Sequence, residues 1–285
     1  MYPAGFEYHR AASADEALEL LGANPGAKFL AGGHSLIPMM KLRLAQPGVL
    51  IDIGRLDELR GVAGNGDSLR LGSLTTHAEI AASAAVRDGC PFLAEAASQI
   101  ADPQVRNRGT IGGNIAHADP ASDLPAVLVA CGATVHLRSR NGARSVAAVD
   151  FFIDLLTSAI ADNEILTEIE VPKLGAGTGS AYLKAEHPAS GYAVCGAAAV
   201  VSMKDSSCSA AALAFNGVTA KPNLASTVTG TLVGTDAGDQ TIDSAMAGLS
   251  VSEPMSDAYA SGEYRAALAT AYGKRALKAA RDRAG

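Results

Sequence analysis

Tryptophan is absent from the 285 residues, and aromatic side chains together make up only 5% of them. A chain so poor in aromatic faces does not build the stacking platforms that hold single-stranded nucleic acid. Basic charge is short as well, with 23 Lys and Arg against 29 Asp and Glu and a net charge of −6. Phosphate contacts need the opposite balance, so nucleic-acid binding is excluded as the main task. No apolar run reaches the roughly 18 residues of a membrane-spanning helix, so no spanning segment is expected. The opening Met1-Tyr2-Pro3-Ala4-Gly5 lacks a charged stretch followed by an apolar one. It reads as carrying no signal peptide, which predicts a cytoplasmic location.

Cysteine is scarce. Cys90, Cys131, Cys195 and Cys208 include no C-x-x-C pair, so they supply no iron–sulfur or zinc framework by local spacing and read as reduced, buried side chains. His9, His77, His136 and His187 show no ligand spacing, and no metal site is predicted. If the chain handles electrons, its redox centre must therefore be a bound cofactor, with any cluster on a partner. The single-loop nucleotide signatures are missing too. No Lys follows a glycine loop as in a P-loop, and G-x-G-x-x-G occurs nowhere.

What is present is a pair of glycine loops, Ala31-Gly32-Gly33-His34-Ser35 and Thr110-Ile111-Gly112-Gly113-Asn114. Each offers consecutive backbone N–H groups with no bulky side chain before them. Two such nests closing on one ligand make a diphosphate clamp. Ser35, Thr110 and Asn114 add side-chain donors.

The elements around the loops are legible. Ser13 and Glu16 spell a capping box opening a helix with Ala17, Leu18 and Leu21 on one face, ended by Gly22. Strands are expected over 27–30 and 49–53, giving a small α/β unit up to about residue 55. A strand over 69–74 precedes a second capping box, Thr76 to Glu79. Pro91 opens a helix toward Ile100, and 125–131 reads as helical. Strands over 133–138 and 143–149 form a hairpin at Asn141-Gly142, and 164–171 is a strand stopped by Pro172. The segment Gly175 to Ser180 marks a boundary. Beyond it, 180–186, 193–203 and 208–217 read as strands, and the remainder as mainly helical. The basic residues Lys274, Arg275, Lys278, Arg281 and Arg283 suit the dipole of a last helix starting near Ser261.

Two long motifs carry a family likeness: A-G-G-H-S-L-I-P-M-M-K-L-R from Ala31 to Arg43, and D-P-Q-V-R-N-R-G-T-I-G-G-N-I-A-H-A-D-P-A-S-D-L-P from Asp102 to Pro125. I-L-T-E-I-E-V-P from Ile165 to Pro172 and G-Y-A from Gly191 to Ala193 follow in order. Over nearly its full length the chain resembles the FAD-binding subunit of molybdenum hydroxylases, nearest to the medium subunit of aerobic carbon monoxide dehydrogenases.

The resemblance implies an α+β fold. Residues 1–175 would be a PCMH-type FAD-binding domain of two α/β subdomains, 1–55 and 56–175. Residues 176–285 would form a C-terminal domain with a three-stranded antiparallel sheet and helices. It implies FAD, held non-covalently, with both loops around the diphosphate and the Asp123 carboxylate near the ribose. Ile100 and Leu166 would pack around the cofactor, and Lys184 and Tyr192 would approach the isoalloxazine ring. On this reading Gly112→Val removes FAD while sparing the fold. His117 and Asp119 read as a turn after the loop rather than as an acid–base pair.

It also implies partners: a large subunit with a molybdenum–pterin centre, a small subunit with two [2Fe–2S] clusters, and a dimer of heterotrimers. The chain would pass electrons from the clusters to an external acceptor, with no catalytic side chain of its own. The substrate of the complex stays open among carbon monoxide, N-heteroaromatics and aldehydes. A second reading also stands: a free-standing oxidase with its flavin linked to His34, since a G-G-H loop serves that purpose in flavin oxidases of another fold.

Overall fold

A computed structural model of the chain describes residues 2–285. Its first sheet is parallel, in the order β1–β3–β2, from β1 (Glu7–Arg10), β2 (Lys28–Leu30) and β3 (Val49–Asp52). The crossover helices are α1 (Ala14–Ala23) and α2 (Leu36–Lys41). Ser13 caps α1 by accepting the Glu16 N–H at 3.1 Å. The expected box is only half made, because the Glu16 carboxylate takes the N–H of Ala12 instead (2.6 Å). Ala17 and Leu18 of α1 are buried with Ile51 of β3. The carboxyl end of β2 is thereby fixed as the launching point of the first glycine loop.

The second sheet is antiparallel, in the order β4–β5–β10–β6–β7. Its strands are β4 (Val62–Asn65), β5 (Ser68–Gly72), β6 (Thr134–Ser139), β7 (Gly142–Ala147) and β10 (Ile165–Pro172). Two short strands, β8 (Phe152–Asp154) and β9 (Thr157–Ser158), make a separate hairpin. The helices are α3 (His77–Ala82), α4 (Ala84–Gly89), α5 (Pro91–Ser98), α6 (Pro103–Arg106), α7 (Ile111–His117), α8 (Leu124–Ala130) and α9 (Ala148–Phe151). The Thr76–Glu79 capping box is complete. The Asn141-Gly142 turn joins β6 to β7, with Gly142 at φ +142°. Every residue of α8 is buried, so Asp123 at its N-terminus is held by the core.

The C-terminal sheet is antiparallel in chain order: β11 (Thr178–Glu186), β12 (Ala193–Lys204), β13 (Ser207–Asn216) and β14 (Asn223–Leu224). The three expected strands are thus joined by a fourth of two residues. Helices α10 (Ser226–Gly230), α11 (Asp239–Ala247) and α12 (Gly262–Asp282) complete the unit. One face of this sheet packs on α12. The other shares a core with α5 and α8, to which it contributes Tyr182, Ala198 and Ala214. Four alanines and Gly196 fall in β12, where a strand covered on both faces must let two helix layers approach.

The basic end of α12 does more than complement its dipole. Lys278 pairs with Asp243 at 3.1 Å and Arg281 with Asp239 at 3.0 Å, binding α11. Arg283 pairs with Glu95 of α5 at 2.8 Å and donates to the Ser180 carbonyl, tying the chain's end across the domain seam.

Candidate functional site

The first loop leaves β2 after Leu30, whose carbonyl accepts the Ile53 N–H at 3.0 Å. The N–H groups of Gly32, Gly33, His34 and Ser35 make no hydrogen bond within the described residues. Gly33 is left-handed at φ +76°, and such a residue in a run of N–H groups curls them toward one anion. At Gly32 a Cβ would overlap the Arg108 carbonyl oxygen, with the Gly109 Cα 3.0 Å away. Glycine is required there because the two loop regions press backbone against backbone.

The second segment differs from expectation. It is the first turn of α7, capped by Thr110, whose hydroxyl accepts the Gly113 N–H at 3.1 Å. The Ile111 N–H donates to Thr75 (2.9 Å), that of Gly112 to Ser73 (2.8 Å) and that of Asn114 to Thr110 (2.9 Å). The fold has spent all four backbone donors. A Cβ on Gly112 would lie 2.6 Å from the Ser73 carbonyl oxygen, so Gly112→Val strikes the fold first, not a ligand.

Gly113 faces the first loop, its Cβ direction 3.9 Å from the Ala31 methyl. Asn114 donates to the Ser122 hydroxyl at 2.7 Å and keeps a buried Oδ1 without a partner. Ala31, Gly113, Asn114, Ser122 and Asp123 thus mark a path from the first loop to the start of α8, with the Asn114–Ser122 hydrogen bond at its middle.

Asp123 is 4% exposed. The Tyr182 hydroxyl donates to it at 2.6 Å, and the Lys184 ammonium lies 3.2 Å away. Burial pushes the carboxyl up to about 6, opposed by Lys184 and by the Tyr182 hydrogen bond. The Tyr182 phenol is driven up in turn, by burial and then by the Asp123 charge. The Lys184 side chain is buried and also donates to the carbonyls of Gln99 (2.6 Å) and Gly191 (2.8 Å). Tyr192 stands half-exposed beside this group, its phenol raised by burial and by Asp119 and Asp123. Asp123, Lys184 and Tyr192 thus meet at the seam between the domains.

Ile100 and Leu166 are core residues, 8% and 6% exposed. His34 is exposed, with Nδ1 held 3.0 Å from the Gly32 carbonyl. Asp119 accepts the Ala121 N–H at 2.9 Å, forming the turn read at Asp119-Pro120. No cluster of three or more potential metal ligands occurs among the described residues. No described helix is long and apolar enough to cross a membrane.

Sequence reasoning missed Tyr182, Asn216 and the burial of His77. The His77 ring is 2% exposed beneath Gly109, with Nδ1 unpartnered. Burial, with Arg106 nearby, lowers its pKa to about 4. The capping box placed His77 at a helix start, but only the packing of the second loop over it buries the ring.

The donor set suits a dinucleotide: free N–H groups and a glycine cradle at one end, an orphaned amide oxygen midway, a buried carboxylate and ammonium at the other. Comparison with known proteins agrees. Residues 4–174 match the FAD binding domain in molybdopterin dehydrogenase, and residues 180–280 match the CO dehydrogenase flavoprotein C-terminal domain. The carbon monoxide dehydrogenase medium chain of Hydrogenophaga pseudoflava is 41% identical over 98% of each chain. The glyceraldehyde dehydrogenase medium chain of Sulfolobus acidocaldarius is 41% identical over 93% of this chain and 94% of its own. A solved structure of carbon monoxide dehydrogenase from Hydrogenophaga pseudoflava superposes with a TM-score of 0.96 over 99% of each chain, at 42% identity. The chain belongs to the family of FAD-binding medium subunits of molybdenum hydroxylases, oxidoreductase complexes of the carbon monoxide and xanthine dehydrogenase type.

Proposed function

We propose that the chain is the electron-transfer subunit of such a complex, taking electrons from [2Fe–2S] clusters on a small subunit and delivering them to an external acceptor. The observation that supports this is the pairing of free N–H groups at Gly32–Ser35 with the buried Asp123–Lys184 pair at the domain seam, two polar ends that suit one long cofactor. Bound FAD supplies a carrier of one or two electrons, which joins single-electron clusters to a two-electron acceptor. The first loop would hold the diphosphate through its backbone. Gly113 would let that group lie close to α7, and Asn114 would offer its amide. Asp123 would accept from a sugar hydroxyl, and Lys184 and Tyr192 would border the ring. Ile100 and Leu166 would back the cleft as apolar wall.

We assign residues 1–175 to FAD and 176–285 to closing the cleft. The large subunit would hold the molybdenum–pterin centre and choose the substrate. Two relatives named for different substrates, carbon monoxide and glyceraldehyde, are equally similar to this chain, which supports placing that choice elsewhere. Carbon monoxide, N-heteroaromatics and aldehydes are the substrate classes, and a quinone or similar carrier is the acceptor we favour. The assembly is a dimer of heterotrimers. The four free cysteines suit a reducing compartment, and the cytoplasm is the proposed location.

The test is reconstitution. Substrate should bleach the flavin of the chain only when both partner subunits are present. Bleaching in the isolated chain would replace this reading with that of a free-standing oxidase.

A further inference from the structure

Strands β11, β12 and β13 carry one cross-strand row in which Lys184 faces Gly196 and Gly196 faces Asn216. Tyr182 lies two residues from Lys184 and so on the same face of β11. Two strands apart, Tyr182 and Asn216 would ordinarily be screened by the side chain of β12 between them. Here that position is Gly196, and a Cβ on it would collide with both the Tyr182 hydroxyl and the Asn216 carboxamide. The gap lets the two side chains meet, 3.3 Å apart. The phenol proton goes to Asp123. The Asn216 atom facing the phenol is Oδ1, while its Nδ2 is buried with no partner. The single phenol proton cannot serve both Asp123 and Oδ1, so the amide turned over, with Nδ2 donating to the phenol oxygen, satisfies every group.

We infer that Tyr182, backed by Asn216 through the opening at Gly196, is a positioning residue that holds Asp123 ionised and aimed as the acceptor of a cofactor hydroxyl. This rests on the FAD reading above. A carboxylate this buried favours its neutral acid, and a protonated Asp123 would compete with the hydroxyl as a donor. The Lys184 charge opposes that loss most, and the Tyr182 hydrogen bond adds to it while also fixing the direction of the carboxylate. The groups facing Asp123 are Tyr182 and Lys184 from β11, with Tyr192 and Asp119 beside it. Glu95 of α5 receives the Tyr182 backbone N–H. All except Tyr182 are unchanged in the variant that tests the idea.

That test is the affinity of the full chain for FAD, read by flavin fluorescence from about pH 5 to about pH 8, bracketing the Asp123 value of about 6. Wild type should lose affinity as pH falls through that value. Tyr182→Phe should move the midpoint up by about one pH unit, a loss of about tenfold at the acid end that fades toward the alkaline end. Asn216→Ala should move it less and in the same direction, and serves if the first variant folds poorly. Asp123→Asn should bind weakly with a flat profile. A Tyr182→Phe variant weakened equally at every pH overturns the proposal. So does Asp123→Asn with wild-type affinity and profile, which leaves the FAD reading intact. A wild-type chain that binds no FAD defeats both.

Discussion

Gly33→Ala separates ligand binding from folding. Gly33 sits at φ +76°, where an L-residue costs about 1–2 kcal/mol. The added methyl would lie 2.8 Å from the Ile37 Cδ1, the far end of a side chain that can turn away. The cofactor-free loop can relax out of the left-handed turn and recover part of this cost. On the proposed function the bound loop cannot, because its N–H groups would have to converge on the diphosphate. FAD affinity should therefore fall by roughly five- to thirtyfold, while the melting temperature of the cofactor-free chain changes little. Gly112→Ala is the counterpart. Its methyl meets the Ser73 backbone at 2.6 Å, which a rotamer change cannot relieve. It should destabilise by about 1–3 kcal/mol, at about 2–4 °C per kcal/mol for a chain approaching this size. Titration with FAD and thermal unfolding of both cofactor-free variants decide the matter. Gly33→Ala with wild-type affinity, or Gly112→Ala that loses FAD at an unchanged melting temperature, would refute the assignment.

Two further outcomes concern the scaffold. His77 has a folded pKa lowered from 6.5 to about 4, so the unfolded chain binds its proton first. Its contribution is complete above pH 6.5 and lost as pH falls toward 4, about 3 kcal/mol over that window. His77→Gln should flatten the decline in melting temperature there, and an unaltered slope would exclude His77 as its source. Arg265, 5% exposed, donates to the carbonyls of Val194 (2.8 Å) and Gly217 (2.5 Å) and pairs with Asp257. Arg265→Met should cost about 2–4 kcal/mol by stranding those carbonyls, and a melting temperature within a degree or so of wild type would show that they find other partners.

Local signals were legible in the sequence. Thr76 and Glu79 specify a reciprocal cap within four residues, and Asn141-Gly142 specifies a hairpin. The first glycine loop was readable because a short strand precedes it. The second reads as a loop in the sequence and is a helix in the structure. Two glycines after Thr110 hide a helix whose first turn is stabilised by Ser73 and Thr75 of a distant segment. The helices α2 and α6 were missed for a related reason. At six and four residues they are too short to show a period. At the candidate site, Asp123 and Lys184 are named by the family likeness, and the structure brings them together. Tyr182 and Asn216 are not named in this way, because their meeting depends on strand register and on one glycine in a third strand. Ser13 shows the limit of motif reading, since Glu16 satisfied Ala12 rather than the cap itself.

On the proposed function this chain alone holds FAD, without a covalent bond, at the seam from the first loop to Lys184. The most direct measurement is the absorption spectrum and flavin content of the purified chain before and after acid precipitation. One FAD per chain is expected, released entirely to the supernatant, with the same content in His34→Ala. A pellet that keeps its colour, with colour lost in His34→Ala, would contradict it in favour of a flavin bonded to His34. A chain that takes up no FAD would contradict it outright.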